Sequence, residues 1–315
     1  VSMAVQPLAS AARFEAVDAP IAPLVAAIDV GVSKTVCLAA RRDPVLELHP
    51  DRPLRVLGVG QQTAPAIASG KPADFDACAR AIQVAIEEAS TMAGAPIMRV
   101  VASYSGPGLT ARISRGAVRI KNGVVTSRDV ENALDAAIQA APSPQLSVLH
   151  IEPLRYLIDE EPIADEPYGQ HGKLLAVEAC VVTAPTEALN ALKSCIRQAG
   201  VEVEEVVAGP RAAGLSALTP EEREDGVLLV DIGAGAIGLS VFIGDALVHA
   251  ESVNVGGVRL TRDLAAKLQT TFAAAERVKL HFGAVGKACD PREAVQAPKL
   301  GLDGRLEAAT TLRGA

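Results

Sequence analysis

The chain has 315 residues, of which 49% are hydrophobic and 21% charged, which allows two or more subdomains around large cores and excludes a disordered chain. A net charge of −7 with no basic block argues against a nucleic-acid partner, and the absence of Trp among few aromatics disfavours base-stacking modules. Cys37, Cys78, Cys180, Cys195 and Cys289 form no C-x-x-C pair and read as buried thiols of a reducing cytoplasm. No apolar run is long enough to span a bilayer, and Val1–Pro23 lacks the regions of a secretory signal and reads as a flexible tail.

After that tail, Leu24–Ile28, Thr35–Ala40 and Arg55–Gly60 read as three strands, with Asp43-Pro44 and Pro50–Pro53 as turns. Asp74 caps a helix whose apolar positions Phe75, Cys78, Ile82, Ile86, Ala89 and Met92 recur every three or four residues, and Gly94 closes it. Three strands and a helix open an α/β domain.

From Ala95 to Lys173 the texture changes to short strands (Arg99–Tyr104, Leu109–Ser114, Ala117–Ile120, Ser147–Ile151, Tyr156–Ile158). One helix follows Thr126-x-x-Asp129, and a polar loop covers Asp159–Gly172. This stretch reads as an inserted subdomain. Leu174–Thr183 is again a buried-strand pattern, followed by a helix over Pro185–Ala199, a strand over Val201–Val207 and a short helix over Arg211–Leu218. Thr219-Pro-Glu-Glu222 is a capping box with Pro at the first helical position.

Gly226–Phe242 then reads GVLLVDIGAGAIGLSVF: an apolar run, Asp231, the glycine turn Gly233-Ala234-Gly235-Ala236, and a second apolar run. Strand, carboxylate, glycine turn, strand is a hairpin able to offer backbone N–H groups and one acidic side chain to a phosphate and its magnesium. A weaker copy, Asp29-Val-Gly31-Val-Ser33-Lys34, lies near the start, so two related halves are expected to face a shared nucleotide. Beyond the second copy, Ala246–Val255 is a strand, Gly256-Gly257 precedes a helix through Leu268, and Phe272–Phe282 is a helix stopped by Gly283. Periodicity fades from Gly286 to Ala315.

Five segments together resemble the FtsA family of bacterial actin-like cell-division proteins. They are AAIDVGVSKTVCLAA (26–40), VLHIEPLRYLID (148–159), AGPRAAGLSALTPEEREDGVLLVDIGAG (208–235), VNVGGVRLTRDLA (253–265) and AERVKLHFG (275–283). The resemblance implies an α/β architecture of the actin/Hsp70/hexokinase-like ATPase fold, with ribonuclease H-like halves and an inserted FtsA-type subdomain. Residues 24–94 and 174–215 then form the first actin-like subdomain, 95–173 the insert, 216–285 an incomplete second half, and 286–315 an irregular segment, after the tail 1–23. Asp29, Gly31, Ser33 and Lys34 fall in the first phosphate loop, and Asp231, Gly233, Ala234 and Gly235 in the second. Gly256-Gly257 starts a helix on the same cleft, and Glu276 and Lys279 flank the nucleoside. The implied cofactors are ATP and Mg2+, the metal reached from Asp29 and Asp231 through the nucleotide.

By the same resemblance the function is a scaffold that links FtsZ filaments of the Z ring to the cytoplasmic face of the inner membrane at the septum. It recruits later division proteins and self-associates into actin-like polymers through the insert. Two departures from the family pattern bear on chemistry. Val32 replaces the usual hydroxyl residue after the first-loop glycine, and the usual D-I-G-G-G-T-T-D becomes D-I-G-A-G-A-I-G, with Ala236 for a threonine and Gly238 for the second aspartate. A phosphate-binding hydroxyl and a carboxylate that could orient magnesium or water are lost, so nucleotide binding with weak or no hydrolysis is expected, and no catalytic residue is assigned. The chain also ends without the family's glycine-rich adenosine turn and C-terminal amphipathic helix, so it reads as C-terminally shortened, and membrane attachment is expected only with that helix restored.

Two other readings stand beside this one: a small-molecule kinase or ATPase on the same fold, and a nucleotide-free interaction module with relic loops. Single residues also have plainer readings. Lys34 can be a solvated strand-edge lysine, Glu276 and Lys279 a surface ion pair, and His150 a satisfied core histidine. Ser105-Gly-Pro-Gly108 reads as a simple turn rather than a nucleotide loop.

Overall fold

Strand β1 (Val25–Val30) alternates in burial, sending Ala26 and Ile28 into the core and leaving Val25 and Asp29 outside. That period of two marks a sheet covered on one face. In the computed structural model, residues 23–42, 54–63, 67–68, 71–72, 74–140, 144–164, 166–284, 290, 292–301 and 303–312 are described. The expected tail, apart from Pro23, lies outside the described residues, as do the turns expected at Asp43-Pro44 and Pro50–Pro53.

β1 pairs antiparallel with β2 (Thr35–Arg42), and β2 with β3 (Leu54–Gln62), so the three expected strands form a meander. A short pair, β4 (Ile67–Ala68) and β5 (Lys71–Pro72), leads to α1 (Phe75–Ala93). The Asp74 carboxylate accepts from the Ala77 amide at the start of α1, and Gly94 closes it in the left-handed region at φ 65°. β6 (Arg99–Tyr104) then joins the outer side of β1 in parallel. With β11 (Glu202–Ala208), the first sheet has the order β11-β6-β1-β2-β3. Its core joins Ile28, Cys37 and Val100 to Cys78, Ile82 and Ala85 of α1. Close approach there needs glycine: a Cβ on Gly60 would sit 1.7 Å from the Ala85 carbonyl oxygen, and one on Gly58 would sit 2.1 Å from that of Ala89.

The chain next builds β7 (Thr110–Arg119), α2 (Ser127–Ala140), β8 (Leu146–Ile158), β9 (Glu161–Ile163) and β10 (Leu174–Pro185). β10 pairs with both β7 and β8, and α2 covers one face, enclosing Val130, Ala133, Leu175, Val177 and Ala179. Two strands read as broken are continuous. Gly116 keeps β7 whole because its missing side chain lets α2 lie against the strand, where a Cβ would be 2.0 Å from the Ala133 carbonyl oxygen. Pro153 is tolerated in β8 at a bulge, beyond the Tyr156–Ile158 stretch that pairs with β9.

The strand pairing also moves the insert relative to the expected 95–173. Arg99–Tyr104 lies in the first sheet, and Leu174–Pro185 is the central strand of the insert. Both are buried apolar runs, and such a run does not name the sheet it joins. α3 (Thr186–Gln198) and β11 (Glu202–Ala208) return the chain to the first sheet, with β11 parallel to β6.

α4 (Gly209–Ala217) and α5 (Pro220–Asp225) lead into the second half. The Thr219 hydroxyl accepts from the Glu222 amide, and the Glu222 carboxylate accepts from the Thr219 amide, completing the capping box. β12 (Val227–Ile232), β13 (Ile237–Ile243) and β14 (Ala246–Val253) form a second meander. It continues into the insert through a bridge from Glu251 to Thr110, giving the order β12-β13-β14-β7-β10-β8-β9. α6 (Gly257–Leu268) and α7 (Phe272–Phe282) follow. The segment expected to be irregular carries two short ladders, β15 (Ala294–Gln296) with β18 (Thr310–Leu312), and β16 (Lys299–Leu300) with β17 (Leu306–Glu307).

His150 ties the insert to the first half. Its Nε2 accepts from the Ala208 amide at 2.9 Å, where β11 passes into α4. Burial, with the positive charge of Arg211 adding, lowers its pKa from 6.5 to about 4. The plainer reading of a satisfied histidine therefore describes it.

Two predictions follow from this packing. Gly60→Ala should destabilise the fold by about 1–3 kcal/mol in chemical denaturation, because strand and helix must separate to admit the methyl. The unfolded chain binds a proton at His150 below pH 6.5, whereas the folded chain resists it until about 4. The stability His150 contributes is therefore complete above pH 6.5 and lost as pH falls through that window. The gap in unfolding free energy between wild type and His150→Gln should shift against the wild type between pH 6.5 and 4, as read by denaturation at a series of pH values.

Candidate functional site

The two expected hairpins face each other across one cleft of about 750 Å3. Their turns match. The Gly31 amide donates to the Lys34 carbonyl at 2.9 Å, and the Gly233 amide donates to the Ala236 carbonyl at 3.0 Å. In each turn a Cβ on the glycine would lie 2.9 Å from that same carbonyl oxygen. Two turns of equal length and equal glycine requirement, each ending a strand that carries an aspartate, are the structural form of the two related halves.

The turns leave donors free. Among the described residues, the amides of Val32, Ser33 and Lys34 in the first loop, and of Ala234 and Gly235 in the second, make no hydrogen bond. Adjacent unpaired N–H groups in a glycine turn form a concavity suited to anionic oxygen. The second loop's carbonyls are satisfied on its far side: the Gly257 amide donates to Gly233 O at 3.0 Å, and the Val258 amide to Ala234 O at 2.9 Å. Helix α6 thus starts on the loop and holds it. Gly256 permits the approach, since a Cβ there would be 2.5 Å from Ala234 O.

Asp29, Gly31, Ser33, Lys34, Asp231, Gly233, Ala234, Gly235 and Gly256 all line the cleft. Gly257, Glu276 and Lys279 stand behind it. Lys279 Nζ donates to the Gly257 carbonyl at 3.2 Å and the Thr261 hydroxyl at 2.9 Å, and pairs with Glu276 at 2.8 Å. Thr261 also donates to Glu276. Burial raises the Glu276 pKa, but hydrogen bonds from Lys279 and Thr261 outweigh it and hold the carboxyl below its usual value. These side chains brace the start of α6.

The cleft has a wall that sequence reasoning missed, formed by Ser103 to Pro107. The Ser103 hydroxyl donates to Asp29, Tyr104 OH donates to the Pro107 carbonyl at 3.0 Å, and the Ser252 hydroxyl donates to the Ser105 carbonyl at 2.5 Å. The Ser105–Gly108 stretch is a turn, as read, but one that lies on the cleft. No signal in the sequence marked it, because only the pairing of β6 with β1 sets it on the cleft. Asn254, Arg259 and Arg262 also line the cleft. Arg259 pairs with Asp263 at 3.1 Å.

The donor set fits a phosphate chain: five amides on two opposed loops, three cationic side chains, and a carboxylate on either side. No group of three or more His, Cys, Asp or Glu able to hold a metal occurs among the described residues. A magnesium ion at Asp29 and Asp231 would therefore need phosphate and water oxygens to fill its shell. Asp231 lies opposite Gly238 in the β12–β13 ladder, where a second carboxylate would have faced the same space.

A meander continued by two parallel strands, a second meander, and paired aspartate–glycine hairpins around one cleft define an actin-like ATPase fold. A solved PilM-PilN type IV pilus biogenesis complex has this fold at a TM-score of 0.60 and 21% identity, over 82% of this chain and 70% of that one. Residues 228–310 match the family Cell division protein FtsA, and residues 106–183 match the SHS2 domain inserted in FTSA. The cell division protein FtsA of Agrobacterium fabrum is 32% identical over 298 residues, covering 93% of this chain and 67% of the relative. That of Escherichia coli K12 is 29% identical over 279 residues, 88% of this chain and 65% of the relative. The chain belongs to the FtsA family of cell division proteins. The match at 106–183 agrees with the strand pairing that places β10 in the insert.

Gly256→Ala should separate α6 from the second loop. Faster amide hydrogen exchange at residues 233–236 and in the first turn of α6, with stability lowered by about 1–2 kcal/mol, is the expected outcome.

Proposed function

We propose that this chain is an actin-like division scaffold that binds ATP in the cleft between Asp29 and Asp231 and links FtsZ filaments to the cytoplasmic face of the membrane at the septum. The observation that carries the nucleotide part is the pair of matched glycine turns with unpaired amides facing each other. Family membership supports the FtsZ, self-association and membrane parts, together with recruitment of later division proteins. Mg2+ would bind with the nucleotide, within reach of both aspartates.

Nucleotide acts here as a ligand rather than a fuel. With Ala236 and Gly238 in place of a hydroxyl and a carboxylate, the second loop keeps its backbone donors and Asp231 but loses two side chains that would help to orient a water. Bound nucleotide contacts both loops, and so favours the conformation in which they are closed. Polymerisation would then depend on occupancy, not turnover.

The test has two parts. ATP with magnesium should raise the melting temperature of the wild type, and Asp231→Asn should reduce that rise, while phosphate release stays at background. Mixed with FtsZ polymers, the chain should co-sediment, and its absence from the pellet would remove the FtsZ link. Thermal stability indifferent to ATP at millimolar concentration would leave a nucleotide-free interaction module. Phosphate transfer to an acceptor would favour the kinase reading instead.

A further inference from the structure

Val32 stands where the two loops meet. Its Cγ2 lies 2.2 Å from the point a Cβ on Gly235 would occupy, and its Cβ and Cγ1 lie 3.0 and 3.6 Å from that point. The isopropyl group therefore rests directly on the Gly235 backbone. It is half-buried and packs against the main core, so it is held in place rather than free to swing into solvent.

This position matters for what the cleft can accept. The unpaired amides of Val32, Ser33 and Lys34 lie on one side of the contact, and those of Ala234 and Gly235 on the other. A phosphoryl group shared by both loops needs its oxygens about 2.9 Å from nitrogens on each side. The space between the tips would have to admit that group, but it holds the carbon atoms of Val32, which donate nothing. An anionic oxygen pressed against methyl groups loses its hydration without a hydrogen bond in return. The neighbouring Ala236 and Gly238 supply no side-chain donor to relieve this.

We propose that Val32 is a plug that removes the terminal-phosphate subsite, so that the cleft takes a nucleoside diphosphate and gains nothing from a third phosphate. The two remaining phosphates are held by the amides of either loop, and the exposed cations Lys34 and Arg262 attract both nucleotides alike. The inference rests on the nucleotide reading of the cleft and sharpens it. The ligand that occupies the site would be ADP as readily as ATP, and occupancy would report total adenine nucleotide rather than energy charge.

Calorimetric titration of ADP and ATP, each with magnesium, into wild type, Val32→Ser and Val32→Ala tests this by affinity alone. The wild type should bind ADP at least as tightly as ATP. Val32→Ser, which removes the methyls and adds a donor, should shift the ratio towards ATP by about tenfold, the worth of one hydrogen bond to a charged group. Val32→Ala should shift it less in the same direction, and it carries the test should the serine variant unfold. A wild type favouring ATP by tenfold or more, or a ratio unchanged in the variants while ADP still binds, would overturn the plug but not the nucleotide site. Absence of binding by either nucleotide to all three proteins would overturn the site, and the plug with it.

Discussion

A loop can present its N–H groups to a ligand only if its carbonyls and its position are secured elsewhere. In the second hairpin this is done by α6, whose first amides close on the carbonyls of Gly233 and Ala234. A helix start normally leaves four donors unpaired. Here two of them hold a loop instead of an anion, which leaves the amides of Ala234 and Gly235 as the ones that face the cleft. Behind α6, Lys279 binds the Gly257 carbonyl and is held by Thr261 and Glu276. A chain of contacts thus runs from α7 through α6 to the loop. Glu276 and Lys279 act on the cleft by placing backbone, not by lining it.

The same logic explains why the insert is part of the site. β14 is stitched to the turn that begins the insert, through the Ser252 hydroxyl on the Ser105 carbonyl and the Ser252 amide on the Leu109 carbonyl. That turn is in turn closed by Tyr104 on Pro107, and Ser103 before it holds Asp29. The turn from β6 into the insert therefore connects Asp29 to the end of β14. A displacement of the insert, by a partner or a second copy, has a direct mechanical route to Asp29 and to the end of β14.

Much of this was legible in the sequence because local chemistry and tertiary role agree. Asp74 and Gly94 bound α1, Thr219 and Glu222 form their reciprocal cap, and the two aspartate–glycine turns land on one cleft. What was not legible depended on pairing across long distances. Arg99–Tyr104 and Leu174–Pro185 have the same buried apolar texture, yet one joins β1 and the other β7 and β8. Gly116 and Pro153 looked like strand ends because their cost depends on what lies opposite. At Gly116 it is a helix backbone that needs the room, and at Pro153 a bulge that needs no donor. The Ser103–Pro107 wall was missed because a serine and glycine turn has no chemistry of its own until β6 sets it beside Asp29.

The two halves also differ in a way that bears on which features the cleft requires. β1 has a parallel neighbour, β6, on its outer side, and the first hairpin sits mid-sheet. β12, its counterpart, is an edge among the described residues, with Leu228, Val230 and Ile232 exposed. Despite this, the Gly31 and Gly233 turns have the same closing bond and the same glycine requirement. The cradle geometry is therefore a property of the meander and its turn, independent of how far the sheet extends. Side chains vary around that constant backbone: Val32, Ala236 and Gly238 offer no hydroxyl or carboxylate, while Asp29 and Asp231 remain on the cleft. The backbone cradle and the side-chain groups are therefore separable features, because they rest on different atoms.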